Sequence, residues 1–337
     1  MKSTVRHGGA VALAVLLTGA AGSSWAAPWP TPGSSDQQTE KFSKTVPLPK
    51  GGSLDIGNVS GDITVTGGAG DQVVIDAVKR GKTPEDLKAL EIEVITIANR
   101  VQVRAQYPRE RRNVNASVDF TVTVPRSAMV TAKSVSGGIK LSAIDGAARA
   151  ETVSGDVTVS AALRVESAKT VSGDVSVDGS GSDTEFTVAS VSGDVTLRTV
   201  KARGIDANSV SGDVRLDGVA CERLKANSIS GELTFDGPLA RGGRYALQSH
   251  SGDVTVRVDG KAGFELNAST FSGDITSDVE IAMTVGGESG RAARGPRRGG
   301  PGQRIRGTFG DGGAFLEINA FSGDVRIAGA VAAKGVK

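Results

Sequence analysis

The chain predicts an all-β fold, a parallel β-solenoid whose coils run to about 19 residues, and three observations carry that expectation. Ser-Gly-Asp begins at Ser60, Ser154, Ser172, Ser192, Ser211, Ser251, Ser272 and Ser322, with Ser-Gly-Gly at Ser136 and Ser-Gly-Glu at Ser230. From Ser136 to Ser272 the spacings are 18, 18, 20, 19, 19, 21 and 21 residues, a nearly fixed period of the kind that marks a stacked array. Composition agrees, because 46 glycines beside many valines and threonines describe β-strands joined by tight turns. The third observation is alternation within each unit, apolar-x-apolar followed by apolar-Ser-Gly-Asp-apolar-x-apolar, as in Ile205 to Leu216.

In chain order, residues 1–26 combine basic Lys2 and Arg6, an apolar run from Ala10 to Leu17 and small residues around Trp25, the pattern of a signal peptide cleaved after Ala26. The run is well below the ~20 residues that span a bilayer, and no other segment of the chain reads as a span. Residues 27–40 are rich in Pro and Ser and read as a flexible leader. Residues 41–131 hold an opening strand at Lys41 to Pro49, the first repeat at Ser60, and an inserted antiparallel β segment that caps one end. Its strands are expected at Val73 to Val78, Glu91 to Ile97, Val101 to Tyr107 and Ser117 to Val124. Between the first two, Thr83-Pro84-Glu85-Asp86 has the N-cap, first-turn proline and early acids of a short helix, and Arg109 to Asn113 reads as a basic loop. Residues 132–285 are the solenoid, 286–307 an Arg/Gly-rich loop expected to be disordered, 308–327 a final β-hairpin with a last repeat, and 328–337 a tail.

Parity assigns faces. Val153, Gly155, Val157 and Val159 fall on alternate positions and are expected inward, with Ser154, Asp156 and Thr158 outward. Ile205 and Ala207 have the opposite parity to Val210, which places a corner at Asn208-Ser209. Two or three short strands per coil, each pairing in parallel with its copy above and below, then build the solenoid, right-handed by the usual crossover preference.

The chemistry follows from the same columns. Asp156, Asp174, Asp194, Asp213, Asp253 and Asp274 should stack into an acidic ladder on one surface. Coils ~4.8 Å apart bring like charges close enough to repel by roughly 1 kcal/mol in water, so something must offset this. Hydrogen bonds from turn or strand amides, with Arg215 and Lys225 nearby, are one answer, and a row of bound calcium ions is the other. A catalytic carboxylate pair needs two unlike environments, and nothing singles out two of these equivalent acids, so no catalytic residue is assigned. His250 replaces the apolar residue before Ser251, and Cys221 is the single cysteine, so neither a zinc ligand set nor a disulfide can be assembled, and no cofactor is expected. Cys221 reads as a small buried apolar group. Formal net charge is +2, about zero without Lys2 and Arg6, which excludes a global field for nucleic acid. Arg291, Arg294, Arg297 and Arg298 could contact an anionic polymer, although no aromatic residue interleaves them.

Gly52-Ser53-Leu54-Asp55-Ile56, Val124-Pro125 and the serial Val-Ser-Gly-Asp-Val units together resemble the bacterial β-strand-repeat family of unknown function whose members are described as adhesin-like. The resemblance runs from about Phe42 to Ile327, and it implies a solenoid in a cell-envelope setting with no catalytic residues to transfer. The expected function is an exported, non-enzymatic scaffold in the periplasm or on the cell surface, a monomer or weak oligomer, that presents a ridged surface to an envelope polymer or protein. The alternatives are an accessory protein of envelope-stress signalling and a polysaccharide-acting β-helix enzyme.

Overall fold

One coil shows how these residues make the fold. Val195–Arg198 is a short strand with Val195 and Leu197 buried, and Lys201–Ser211 is a long one with Ala202, Ile205, Ala207 and Ser209 buried. Gly204 and Ile205 are buried in succession, so inward parity changes there and the long strand bends. The short strand pairs in parallel with those of the adjoining coils, Val195 opposite Val214 and Val214 opposite Leu233. The long strand does the same, Ile205 opposite Leu224 and Leu224 opposite Tyr245. Repeated along the stack, these pairings give a 13-stranded and a 14-stranded sheet facing each other across one apolar core. Each fully buried Val or Leu stabilises that core by about 1.5–3 kcal/mol. The computed structural model describes residues 38–107, 115–259, 262–283 and 302–329. The signal segment, the leader up to residue 37, the basic loop Arg109 to Asn113, Arg291, Arg294, Arg297 and Arg298, and the tail from residue 330 lie outside the described residues.

The corner lies three residues later than parity placed it. Burial alternates without a break through Ile205, Ala207 and Ser209, and the change comes at Ser211-Gly212-Asp213. The residue before each Ser-Gly-Asp therefore points outward, not inward: Val153, Val171, Val191 and Val210 are exposed, while Thr152, Thr170, Ser190 and Ser209 are buried. Gly155, Gly173, Gly193, Gly212, Gly231 and Gly252 hold φ between +137° and +151°, a region closed to most side chains. A Cβ on any of them would run into the carbonyl oxygen of the glycine in the adjoining coil. These glycines permit close approach between coils, so Gly155, expected to be an inward residue of a strand, is instead a turn residue.

The turn removes two backbone groups from the parallel ladder, and two side chains replace them. The Gly155 carbonyl accepts from Thr170 Oγ1 at 2.9 Å, and the Gly173 carbonyl from Ser190 Oγ at 2.9 Å. The Asp174 amide donates to Asp156 Oδ1 at 2.9 Å, the Asp194 amide to Asp174 Oδ1 at 2.8 Å, and the Asp213 amide to Asp194 Oδ1 at 2.8 Å. Ser134 and Ser249 occupy the hydroxyl position with no partner for Oγ.

Both ends depart from sequence order. The first repeat, Ser53–Gly57 and Ile63–Gly68, lies between Arg100–Gln106 with Ala116–Pro125 on one side and Met129–Ser136 with Ile139–Ser142 on the other. Ser60 bridges directly to Ser136, so 76 residues of sequence vanish in space. Gln38–Pro47, Gln72–Gly81 and Ala116–Pro125 pair antiparallel in turn, and Glu91–Ile97 closes the other sheet against Arg100–Gln106. The helix Pro84–Ala89 is capped by Thr83, whose Oγ1 accepts from the Asp86 amide at 3.2 Å. At the far end the final repeat, Ala314–Ser322 and Val325–Gly329, enters between the coil of Leu239–Ser251 with Val254–Val258 and that of Phe264–Ser272 with Ile275–Ser277. The hairpin expected beside it does not form. Gln303–Phe309 instead pairs antiparallel with Phe264–Ser272, on the side away from the final repeat.

Two outcomes test the corner. Gly212→Ala should lower stability by roughly 2–4 kcal/mol in chemical denaturation. Gly242→Ala, where φ is +76° and nothing lies within 4 Å, should lose only about 1 kcal/mol. Equal losses would show that stacking contact is not the constraint. Asp174→Ala should lose about 1 kcal/mol and Asp174→Asn, which keeps the acceptor, almost nothing. Melting should be the same with and without chelator, and a chelator-dependent transition would restore the calcium reading.

Candidate functional site: an apolar ladder and a recess on the long strands

The six aspartates proposed as a ladder do form one column along the corner, with Asp324 entering between Asp253 and Asp274. Each has an Oδ1 on a hydrogen-bond donor; at the end of the column Asp274 Oδ1 accepts from Gln303 Nε2 at 3.0 Å. Arg215 lowers the field by reaching Asp213 at 2.6 Å and Asp194 at 3.2 Å. Lys225, the other cation named for this role, lies elsewhere, on the outer face of a long strand beside the recess described below. Among the described residues no three His, Cys, Asp or Glu converge as a metal site.

The column beside it was assigned to the core and is on the surface. Val59, Val135, Val153, Val171, Val191, Val210, Ile229, His250, Phe321 and Phe271 follow one another along the stack, one per coil. The apolar members are between 39% (Val210) and 55% (Phe271) exposed. His250 stacks on Phe321 at 4.7 Å and Phe321 on Phe271 at 5.0 Å, both nearly parallel. His250 is thus an aromatic rung of this ladder. A trough runs alongside: about 780 Å³ lies beside Val59 to Val191, and a further 420 Å³ beside Ile229, His250 and Phe321. Its far wall carries Lys133, Glu151 and Lys169 at one end and Asn227, Gln248 and Asn319 at the other.

Four to six residues upstream on the same strands, at the bend, lies a recess of about 720 Å³. Ala246 presents a short side chain between Lys225 and Glu317, and the Glu185 side chain folds over the bare Gly204. Glu185 and Arg223, one coil to either side of Gly204, meet above it at 2.6 Å. Asp206, Lys225, Arg244 and Glu317 complete a rim of mixed sign, and Phe315, 39% exposed, forms one wall. Arg244 lies beside Arg223 and its guanidinium has no ion pair among the described residues.

Cys221 is buried, and burial pushes its thiol up to about 12, so it is inert. Tyr245 donates to its carbonyl at 2.6 Å and accepts from the Ala240 amide at 2.7 Å, a structural role. Sequence reasoning missed both the ladder and the recess. The available signal was the Ser or Thr two residues before every Ser-Gly-Asp but those at Ser60 and Ser322, where Asn58 and Ala320 stand, and its burial reverses the neighbouring valine.

No helix among the described residues is long and apolar enough to cross a membrane. No curated protein is similar to the chain in sequence. Among solved structures, one from Bacteroides fragilis provisionally named an adhesin is 14% identical, with 86% of this chain and 97% of that one covered and a TM-score of 0.42. A second provisional adhesin, from Parabacteroides distasonis, is 12% identical over 86% and 97% with a TM-score of 0.40. A protein of the same organism provisionally named lipid-binding is 8% identical over 86% and 97% with a TM-score of 0.41. The model of the family described as Toastrack DUF4097 matches residues 53–327, the whole of the two-sheet stack from first repeat to last, and the chain belongs to that family.

Proposed function

We propose that the chain is an exported, non-enzymatic, adhesin-like scaffold of the cell envelope, in the periplasm or on the cell surface, that holds an envelope polymer or protein against the outer face of its long strands. The recess at the strand bend carries this reading. Its volume is in the range of ligand pockets, and an apolar floor of Phe186, Ile205 and Leu224 lies under a few placed polar groups. Along the stack the rim runs from acidic Glu185 and Asp206 through basic Arg223, Lys225 and Arg244 to acidic Glu317, which suits a ligand with mixed hydrogen-bonding groups better than a uniform polyanion. Among the described residues Arg244 and Lys225 have no ion pair, and the contacts we assign to the ligand are Arg244, a planar donor fork, and Phe315, an apolar face. Glu185 is tied to Arg223, and the corner aspartates cap amides, so neither supplies the unlike carboxylate pair of a glycosidase.

The test is retention of purified envelope polysaccharide and of envelope extract by the immobilised chain. Arg244→Glu and Phe315→Ala should each weaken retention about fivefold or more without moving the melting temperature, as expected for central contacts. Retention indifferent to both changes would remove the recess as the site. Release of new reducing ends from the polysaccharide would replace the scaffold reading by an enzymatic one.

A further inference from the structure

The apolar ladder is not required by the corner. Thr152 and Asp156 satisfy the backbone there, and Val153 lies between them with its side chain in solvent. Any polar residue would fill that place, yet nine of ten rungs are aliphatic or phenylalanine, and a continuous apolar stripe of this length marks a covered surface.

We propose that the ladder is covered by a second copy of this chain, in a homodimer whose two-fold axis runs parallel to the stack of coils. Shape supplies the first argument. A ridge (the ladder) and a trough in two stretches, beside Val59 to Val191 and beside Ile229 to Phe321, lie side by side, so a two-fold axis running between them seats each copy's ridge in the other's trough, the self-complementarity that an isologous contact demands. Period supplies the second, since two copies share the same ~4.8 Å rung spacing and stay in step along their whole length, which no extended peptide at ~3.3 Å per residue does. Area supplies the third. Nine rung intervals give a length of about 43 Å, and the ladder with one column on either side is about 20 Å wide, so each copy would cover roughly 850 Å², the size of a standard specific interface. Charge supplies the fourth and chooses the direction. In this arrangement the aspartate column of one copy faces the far wall of the other's trough, where Lys133 and Glu151 pair with each other and Lys169 meets the Asp174 carboxylate. The antiparallel alternative would set one copy's aspartate column against the other's.

Other occupants fit less well. The rungs sit on strands whose backbone groups are already paired on both sides, so no added strand can bond there. A membrane surface would bring the corner aspartates against anionic headgroups. The recess at the bend lies outside the covered columns, so the dimer leaves the proposed binding face open on both copies.

The experiment is sedimentation velocity on the chain purified from the cells that export it, over a concentration series to ~100 µM. A dimer is expected, and Val171→Glu with Val191→Glu should raise its dissociation constant at least about a hundredfold while leaving unchanged the melting temperature measured at dilutions where both chains are monomeric, because both side chains are solvent-exposed in the single copy. Val135→Cys near one end of the ladder should cross-link to itself under mild oxidation, with Cys221 buried and silent. A wild-type chain monomeric throughout overturns the proposal, as does a double variant that still dimerises. A monomer that co-floats with anionic vesicles assigns the ladder to a membrane and overturns it too. A dimer in which Val135→Cys fails to cross-link while a mixture of Val59→Cys and Phe271→Cys chains does would overturn the parallel two-fold.

Discussion

Each coil passes its neighbour at the glycine of Ser-Gly-Asp with no room for a single carbon atom between the carbonyl oxygen of one glycine and the Cα of the next. This contact sets the conformation of every turn, since only glycine reaches φ near +150° without strain. It also determines the neighbouring residues. A backbone turned so sharply cannot continue the parallel ladder, and the orphaned carbonyl and amide would each cost on the order of 1–3 kcal/mol if left buried or unpaired. The hydroxyl two residues before the serine and the carboxylate after the glycine remove that penalty. The repeated sequence is therefore the sequence of a turn, and the stack follows from repeating it.

Because every turn is alike, every other position recurs at the same height in its coil and forms a column. Columns amplify small choices. One exposed valine on a globular surface means little, whereas ten rungs in line are a surface with a direction and a length. The aspartate column shows the opposite case: each acid serves a neighbouring turn as a backbone cap, with Arg215 placed between two members. The recess shows a third, in which a short side chain at Ala246 interrupts the column of Asp206, Lys225 and Glu317 while the walls keep the regular register.

Much of this was legible in the residues. Alternation in Ile205-Asp206-Ala207 and Val214-Arg215-Leu216 gave the inward faces, and Thr83-Pro84 marked the one helix among the described residues to its first residue. The corner was not legible, because Val153-Ser154-Gly155-Asp156-Val157 alternates as cleanly as a strand if glycine is counted as an inward residue. Alternation counts side chains, and at a residue with none it cannot distinguish a strand from a turn that flips the parity. The ladder was lost by that same step, since its rungs were assigned to the core. The recess was beyond reach for another reason: Glu185, Arg223 and Arg244 come from three coils and are neighbours only once the register is known.

The ends of the stack follow from the equivalence of its units. Phe271-Ser272-Gly273-Asp274 and Phe321-Ser322-Gly323-Asp324 present the same corner, so pairing alone does not decide which of them meets the coil of Leu239–Ser251. What decides is the antiparallel strand Gln303–Phe309, which can pair with Phe264–Ser272 only if the far edge of that strand is free. Placing the final repeat inside leaves that edge free, and the added strand then covers the edge of the long sheet. The short sheet ends instead on Ile275–Ser277, three residues long and too brief to recruit a neighbour easily. Completion of this end therefore cannot proceed by adding coils in sequence order. The chain must hold a place for its last repeat until that repeat arrives, so closing this end joins Asp253 to Asp324 across 71 residues and is non-local and slow, as is the other end, where 76 residues separate Asp62 from Gly138.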